Sequence, residues 1–183
     1  MRRLMAGLLA AMPLLAAGAG EQSLEVCFNY GCQSTQTVVY APSQMLSLHS
    51  ALDGSVDAAD ERGRLQYVLA RMYRWAGEQS PIHVDRAGDF LDDEAYGRMD
   101  CIDHARTTDR MLHALQAAGA LKFHRVIDIQ RRTSWVIMQH FSAAIEDRSD
   151  GQRYAVDTWF RDHAEPAVVM DLNRWKGGGY PDE

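Results

Sequence analysis

The chain begins with two basic residues, Arg2 and Arg3, then an almost unbroken apolar run over 4–17, then Gly18-Ala19-Gly20 before the polar Glu21-Gln22-Ser23. The run is shorter than the ~20 residues a membrane-spanning helix needs, Pro13 interrupts it, and small residues stand where a signal peptidase cuts. It reads as a secretory signal peptide over 1–20, with an uncleaved N-terminal anchor as the alternative. No second apolar run of that length follows, so no membrane partner is expected after cleavage.

Past the leader the apolar spacing changes twice. Between 50 and 75, Leu65, Val68, Leu69, Met72 and Tyr73 recur at helical spacing, and Asp57, Asp60 and Glu61 place acids at the start, so a helix is expected there. The stretch 77–97 mixes Pro81 and Gly88 with Asp89, Asp92, Asp93 and Glu94. It reads as a long loop with one short helical turn, either shaping a cleft or forming a solvated acidic face. Asp100 suits an N-cap, and Ile102, Ala105, Leu112, Leu115 and Ala118 follow a helical period until Gly119, predicting a helix over 101–118.

After Gly119 the segments 121–129, 134–146 and 153–159 are rich in Val, Ile, Phe, Trp and Tyr, and a turn-type linker over 147–152 joins the last two. They predict an antiparallel meander. Pro166, the apolar 167–170, the segment 172–175 and Gly177-Gly178-Gly179 add a last strand or turn, a short helix and a loose tail. The expected class is therefore α+β, with a helix packed on an antiparallel sheet.

Composition supports one domain over 21–183. The 46% hydrophobic content, four tryptophans and seven tyrosines can fill a core, and a net charge of -6 excludes a disordered polyanion. Losing Arg2 and Arg3 makes the mature chain more acidic still, with no basic stripe to release counterions from phosphates, so nucleic acid is not an expected partner.

The three cysteines sharpen the picture. Cys27 and Cys32 flank Phe28-Asn29-Tyr30-Gly31, a loop that could close a small disulfide ring in an exported protein, and Cys101 is left over. An odd thiol is a reactive nucleophile or a buried bystander. Cys101 follows the presumed cap, where a helix N-terminus depresses a thiol pKa and offers N–H groups to an oxyanion. A base and an orienter are then needed from distant sequence. His140 lies in mid-strand and Asp157 near the end of the next. If 147–152 turns the chain back, Ile145 pairs near Arg153 and His140 comes opposite the region 157–159.

These residues carry a resemblance. Asp100-Cys101-Ile102-Asp103-His104-Ala105, continued by Leu112 to Gly119, resembles the nucleophile helix of the transglutaminase-like superfamily of cysteine hydrolases, whose core is papain-like. His140-Phe141-Ser142-Ala143-Ala144-Ile145-Glu146 resembles its His strand, and Tyr154-Ala155-Val156-Asp157-Thr158 its Asp strand, in the family's chain order. The resemblance covers 97–160. It departs from the family's pattern at Met99, where a Gly is often found, and at Ser142, where an aromatic is.

The resemblance implies Cys101 as nucleophile, His140 as base and Asp157 as orienter, in acyl transfer from an amide through a thioester. A peptide or protein substrate is expected, with no cofactor and no metal. Hydrolysis is favoured over transamidation, because nothing marks an amine-acceptor site or a calcium-binding loop. The Cys101 main-chain N–H would bind the oxyanion, with Gln79 or Tyr96 as a side-chain donor. His104 is placed near the rim of the site, and His113, His124 and His163 are read as surface or half-buried. Two alternatives remain open: an inactive domain that binds peptides or glycans, and a zinc site drawn from Asp100, Cys101, Asp103 and His104.

Overall fold

Leu24, Val26 and Phe28 are buried on one strand and Val38 and Tyr40 on the other, with the flanking Glu25, Thr37 and Val39 exposed. This period of two builds an antiparallel hairpin from β1 (Gln22–Phe28) and β2 (Ser34–Tyr40), in register from Gln22↔Tyr40 to Phe28↔Ser34. The computed structural model describes residues 20–88, 96–134 and 138–181. The leader up to residue 19 and the acidic cluster Asp89, Asp92, Asp93 and Glu94 lie outside the described residues. A disulfide between Cys27 and Cys32 closes the hairpin turn, and Cys101 is the free, buried thiol.

Helix α1 (Pro42–Asp53) starts on Pro42, which lacks the N–H that the first turn cannot use, and Gln44 Oε1 accepts from Ala41 N at 2.8 Å. It buries Met45, Leu48 and Leu52. Helix α2 (Ala58–Gly77) begins where Asp57 Oδ1 accepts from Asp60 N at 2.8 Å, and the expected stripe Leu65, Val68, Leu69, Met72 and Tyr73 is buried. The single helix predicted from residue 50 is thus two, because Gly54 ends one and Asp57 caps the next. A 3-10 turn, Pro81–Val84, is the short turn expected in the following loop.

Helix α3 (Cys101–Ala117) carries a full capping box. Asp100 Oδ1 accepts from Ile102 N and Asp103 N, both at 2.9 Å, and Asp103 Oδ2 accepts from Asp100 N at 3.2 Å. The meander follows as β3 (His124–Ser134), β4 (Met138–Asp147), β5 (Arg153–Asp157) and β6 (Val168–Asp171), antiparallel and in sequence order. A short α4 (Leu172–Lys176) completes it.

Alternation along the strands divides the core. Ala143, Ile145 and Val156 join the main cluster with α2, α3 and the first hairpin, while Ala155, Val168, Met170 and Leu172 pack around the buried Trp175 of α4. The sheet is therefore covered on both faces. Helix α3 lies against β4, β3 and β1, which brings its first turn to the strand that carries His140.

Candidate active site

The strands set the first pair. Pairing of β4 with β5 runs from Glu146↔Arg153 to Ala143↔Val156, close to the register expected from the linker. Just beyond it, His140 Nε2 lies 2.7 Å from Asp157 Oδ2, with both side chains buried. In the tautomer that donates from Nε2 to the carboxylate, the ring's lone pair lies on Nδ1. Nδ1 is buried and, among the described residues, has no hydrogen-bond partner. The pair thus presents one unused basic nitrogen.

Asp157 is fully engaged. Its Oδ2 also accepts from Trp175 Nε1 at 2.8 Å, and its Oδ1 from Trp159 N at 3.1 Å. The imidazole is boxed by Trp159, Phe160 and Trp175, at ring centroid distances of 4.7, 5.5 and 5.6 Å. Behind them Arg132, cross-strand neighbour of His140, donates from Nη1 to Trp175 O at 2.7 Å and Gly179 O at 3.2 Å. Its guanidinium stacks over the Trp175 ring at 4.9 Å. Trp175 and Arg132 are absent from the expected site. A lone Trp in a short terminal helix carries only the signal that a buried indole N–H wants an acceptor.

The nucleophile candidate comes from the other side. β4 continues past the end of β5, and Cys101 Sγ sits against that stretch, 3.9 Å from Gln139 O. The Phe141 main chain also acts on the sulfur, in the direction that favours the thiolate. The thiol therefore touches the main chain on both sides of His140 but makes no hydrogen bond to the imidazole. Burial, with Asp100 and Asp157 adding, pushes the Cys101 thiol up to about 11. The depressed pKa expected from the helix N-terminus is thus corrected: desolvation outweighs the helix end, and the resting group is a thiol.

His104 is not on a rim. It is buried, with Nδ1 2.9 Å from Thr158 Oγ1 and Nε2 2.9 Å from Asp85 Oδ2, a close ion-pair contact that is not aligned as a hydrogen bond. Burial pulls its pKa down, but Asp85, with Asp157 and Asp103 adding, more than offsets this, and the net shift is upward. Tyr73 Oη joins the same network through Thr108 at 2.9 Å and Thr158 at 3.2 Å, fixing the residue after Asp157. Asp85 Oδ1 accepts from Met99 N at 2.8 Å, so this network also fixes the approach to Asp100.

Other expectations change. His124 is fully buried, with Nδ1 2.7 Å from Glu61 Oε1, because the Glu61 side chain turns inward from the first turn of α2. His163 is half-buried and fits only because Gly77 has no side chain: a Cβ there would lie 2.4 Å from its Nε2. His113 is exposed, as expected. Gln79 is no oxyanion donor, since its amide is spent on the main chain of Val39 and Trp75. Tyr96 is exposed, its ring edge-on to Phe28 at 5.5 Å.

The zinc alternative is also dispersed. Asp100 and Asp103 face main-chain N–H groups, and His104 faces Asp85. Among the described residues, the one group of three or more His, Cys and acidic residues close enough to hold an ion is Cys27, Cys32 and Asp103, and both its sulfurs are in the disulfide. Among the described residues no helix is long and apolar enough to cross a membrane, and the disulfide is compatible with an oxidising compartment.

Comparison of the chain with protein-family models, with curated proteins and with solved structures returns no match.

Proposed function

We propose that the chain is an exported cysteine-dependent acyl-transfer enzyme of the transglutaminase-like class, hydrolysing a peptide or isopeptide bond through a thioester on Cys101. The observation that carries this reading is the His140–Asp157 pair, with Nδ1 unpartnered on a strand whose main chain the Cys101 thiol already touches.

The chemistry runs as a two-step displacement. His140 Nδ1 takes the thiol proton as Sγ attacks the amide carbon, and Asp157 stabilises the imidazolium through Nε2–H. The main-chain N–H of Cys101, in the first turn of α3, would hold the oxyanion. The amine leaves with the proton from Nδ1. Water, deprotonated by the same nitrogen, then cleaves the thioester and restores the thiol. A resting thiol suits this order, because the proton moves only when substrate arrives.

The same burial favours one alternative, an inactive domain that binds peptides or glycans, since a thiol held near 11 is inert by itself. Turnover separates the two. Peptide and isopeptide substrates should be cleaved by the mature chain and not by Cys101→Ser or His140→Ala. Binding that survives both substitutions, without cleavage by the parent, would establish the alternative.

A further inference from the structure

Four successive residues of the first hairpin turn have left-handed backbone: Asn29 (φ 64°), Tyr30 (φ 58°), Gly31 (φ 64°) and Cys32 (φ 60°). Non-glycine residues rarely adopt this conformation, and a run of them persists only where the surroundings over-determine it. Two things hold this one. The Cys27–Cys32 disulfide closes the turn, and the turn grips the segment that leads into α3.

The grip is specific. Gly31 N donates to Asp100 Oδ2 at 2.8 Å and Cys32 N to Asp103 Oδ1, so the two carboxylates of the capping box both reach into the turn. Asn29 N donates to Arg98 O at 2.7 Å, and Asn29 Oδ1 accepts from Gly97 N at 2.9 Å. Cys27 N donates to Thr107 Oγ1 at 2.9 Å, two turns into the helix. Successive N–H groups turned to one side form a nest for anions, and here the anions are the two acids that cap the Cys101 helix. Gly97 has a φ of 102°, and a Cβ there would lie 2.3 Å from Pro81 O, so only glycine fits at this point of the segment.

We propose that the disulfide-closed turn 27–32 is the positioning element of the Cys101 helix end, and that reducing the disulfide loosens that end and lowers Cys101 reactivity. The second half rests on the acyl-transfer reading above. Cys32 is half-buried and Cys27 fully buried, so a dithiol reductant reaches Cys32 first. Its thiolate attacks Cys32 Sγ, the S–S bond breaks, and Cys27 leaves as a thiolate beside Arg110 Nη1, which lies 3.3 Å from its sulfur. The reductant's second thiol then resolves the mixed disulfide. Two electrons and two protons reach Cys27 and Cys32, and the reductant ends as a disulfide. The left-handed turn has then lost one of its two constraints.

The test is amide hydrogen exchange of the mature chain, oxidised against reduced, with Cys27→Ser/Cys32→Ser as a second reduced-like form. The amides of Ile102 and Asp103, which donate to Asp100, report the helix end; those of Ile145 and Ala155 report the sheet. Reduction should speed exchange at Ile102 and Asp103 by at least about tenfold and leave the sheet amides unchanged. Unchanged exchange at the helix end overturns the proposal. So does loss of protection across the sheet, which would make the disulfide a staple of the whole fold. In parallel, acylation of Cys101 by a nitrophenyl ester should slow on reduction, and an unchanged rate with a loosened helix end overturns the second half. If Cys101 is never acylated, even when oxidised, the acyl-transfer reading fails while exchange still decides the positioning role.

Discussion

Trp175 and His140 meet at one oxygen: the indole N–H and the imidazole Nε2 both lie on Asp157 Oδ2, at 2.8 and 2.7 Å. The indole therefore fixes the carboxylate that fixes the imidazole. A short C-terminal helix with no reactive group of its own completes the geometry of a site built 35 residues upstream, between His140 and Trp175.

Trp175→Phe should leave the fold intact and remove this single donor. The loss of one charge-assisted hydrogen bond predicts about a tenfold fall in kcat/KM. The phenyl ring leaves part of the indole's volume empty, so unfolding by denaturant should shift by about 1–2 kcal/mol. Activity equal to that of the parent would show that Asp157 needs no help from α4.

The buried pair His124–Glu61 is structural. Glu61 accepts from the main-chain N–H groups of Lys122, Phe123 and His124 as well as from the imidazole. Glu61→Ala leaves four donors unpaired, two of them buried on His124, and should cost about 3–5 kcal/mol in denaturant unfolding, with Glu61→Gln costing less. A change below about 1 kcal/mol in Glu61→Ala would mean that water replaces the carboxylate.

Burial, helped by His83, His104 and Arg74 and opposed by Asp85, holds His163 down to about 4. Between its ordinary 6.5 and about 4 the unfolded chain binds a proton that the folded chain does not. This contribution to stability is present above pH 6.5 and is lost as pH falls towards 4. Asp103 has the opposite sign: burial and Asp100 raise it to about 6, so its contribution is present below 3.8 and is lost as pH rises through 6. The difference between parent and His163→Gln isolates the first. The parent should lose more stability than the variant between pH 6.5 and 4, and parallel pH curves would contradict the assignment.

The meander and α3 were legible because each has a local cause. Asp100 caps, Gly119 stops, and the strands carry the period of two with a turn-type linker between them. The His140–Asp157 contact followed from counting back from that linker. The hairpin β1–β2 was less legible, because the buried Cys27 and the exposed Val39 blur its period of two, and α1 shows only three buried positions. The inward turn of His104, His124 and Glu61 was not legible, because the partners that satisfy them, Asp85 and the 122–124 main chain, are distant in sequence. The state of the Cys101 thiol was hidden for the same reason. A helix end is visible in a sequence, whereas burial by β4 is not.

Acyl transfer through Cys101 with His140 as base is tested by following acylation of the mature chain by p-nitrophenyl acetate at pH 7, with mass spectrometry to locate the acyl group. A thioester should form on Cys101 and decay by hydrolysis, and the acylation rate should be at least about a hundredfold lower in His140→Ala. Acetylation that never reaches Cys101 in the folded chain, or that is indifferent to His140, would contradict it.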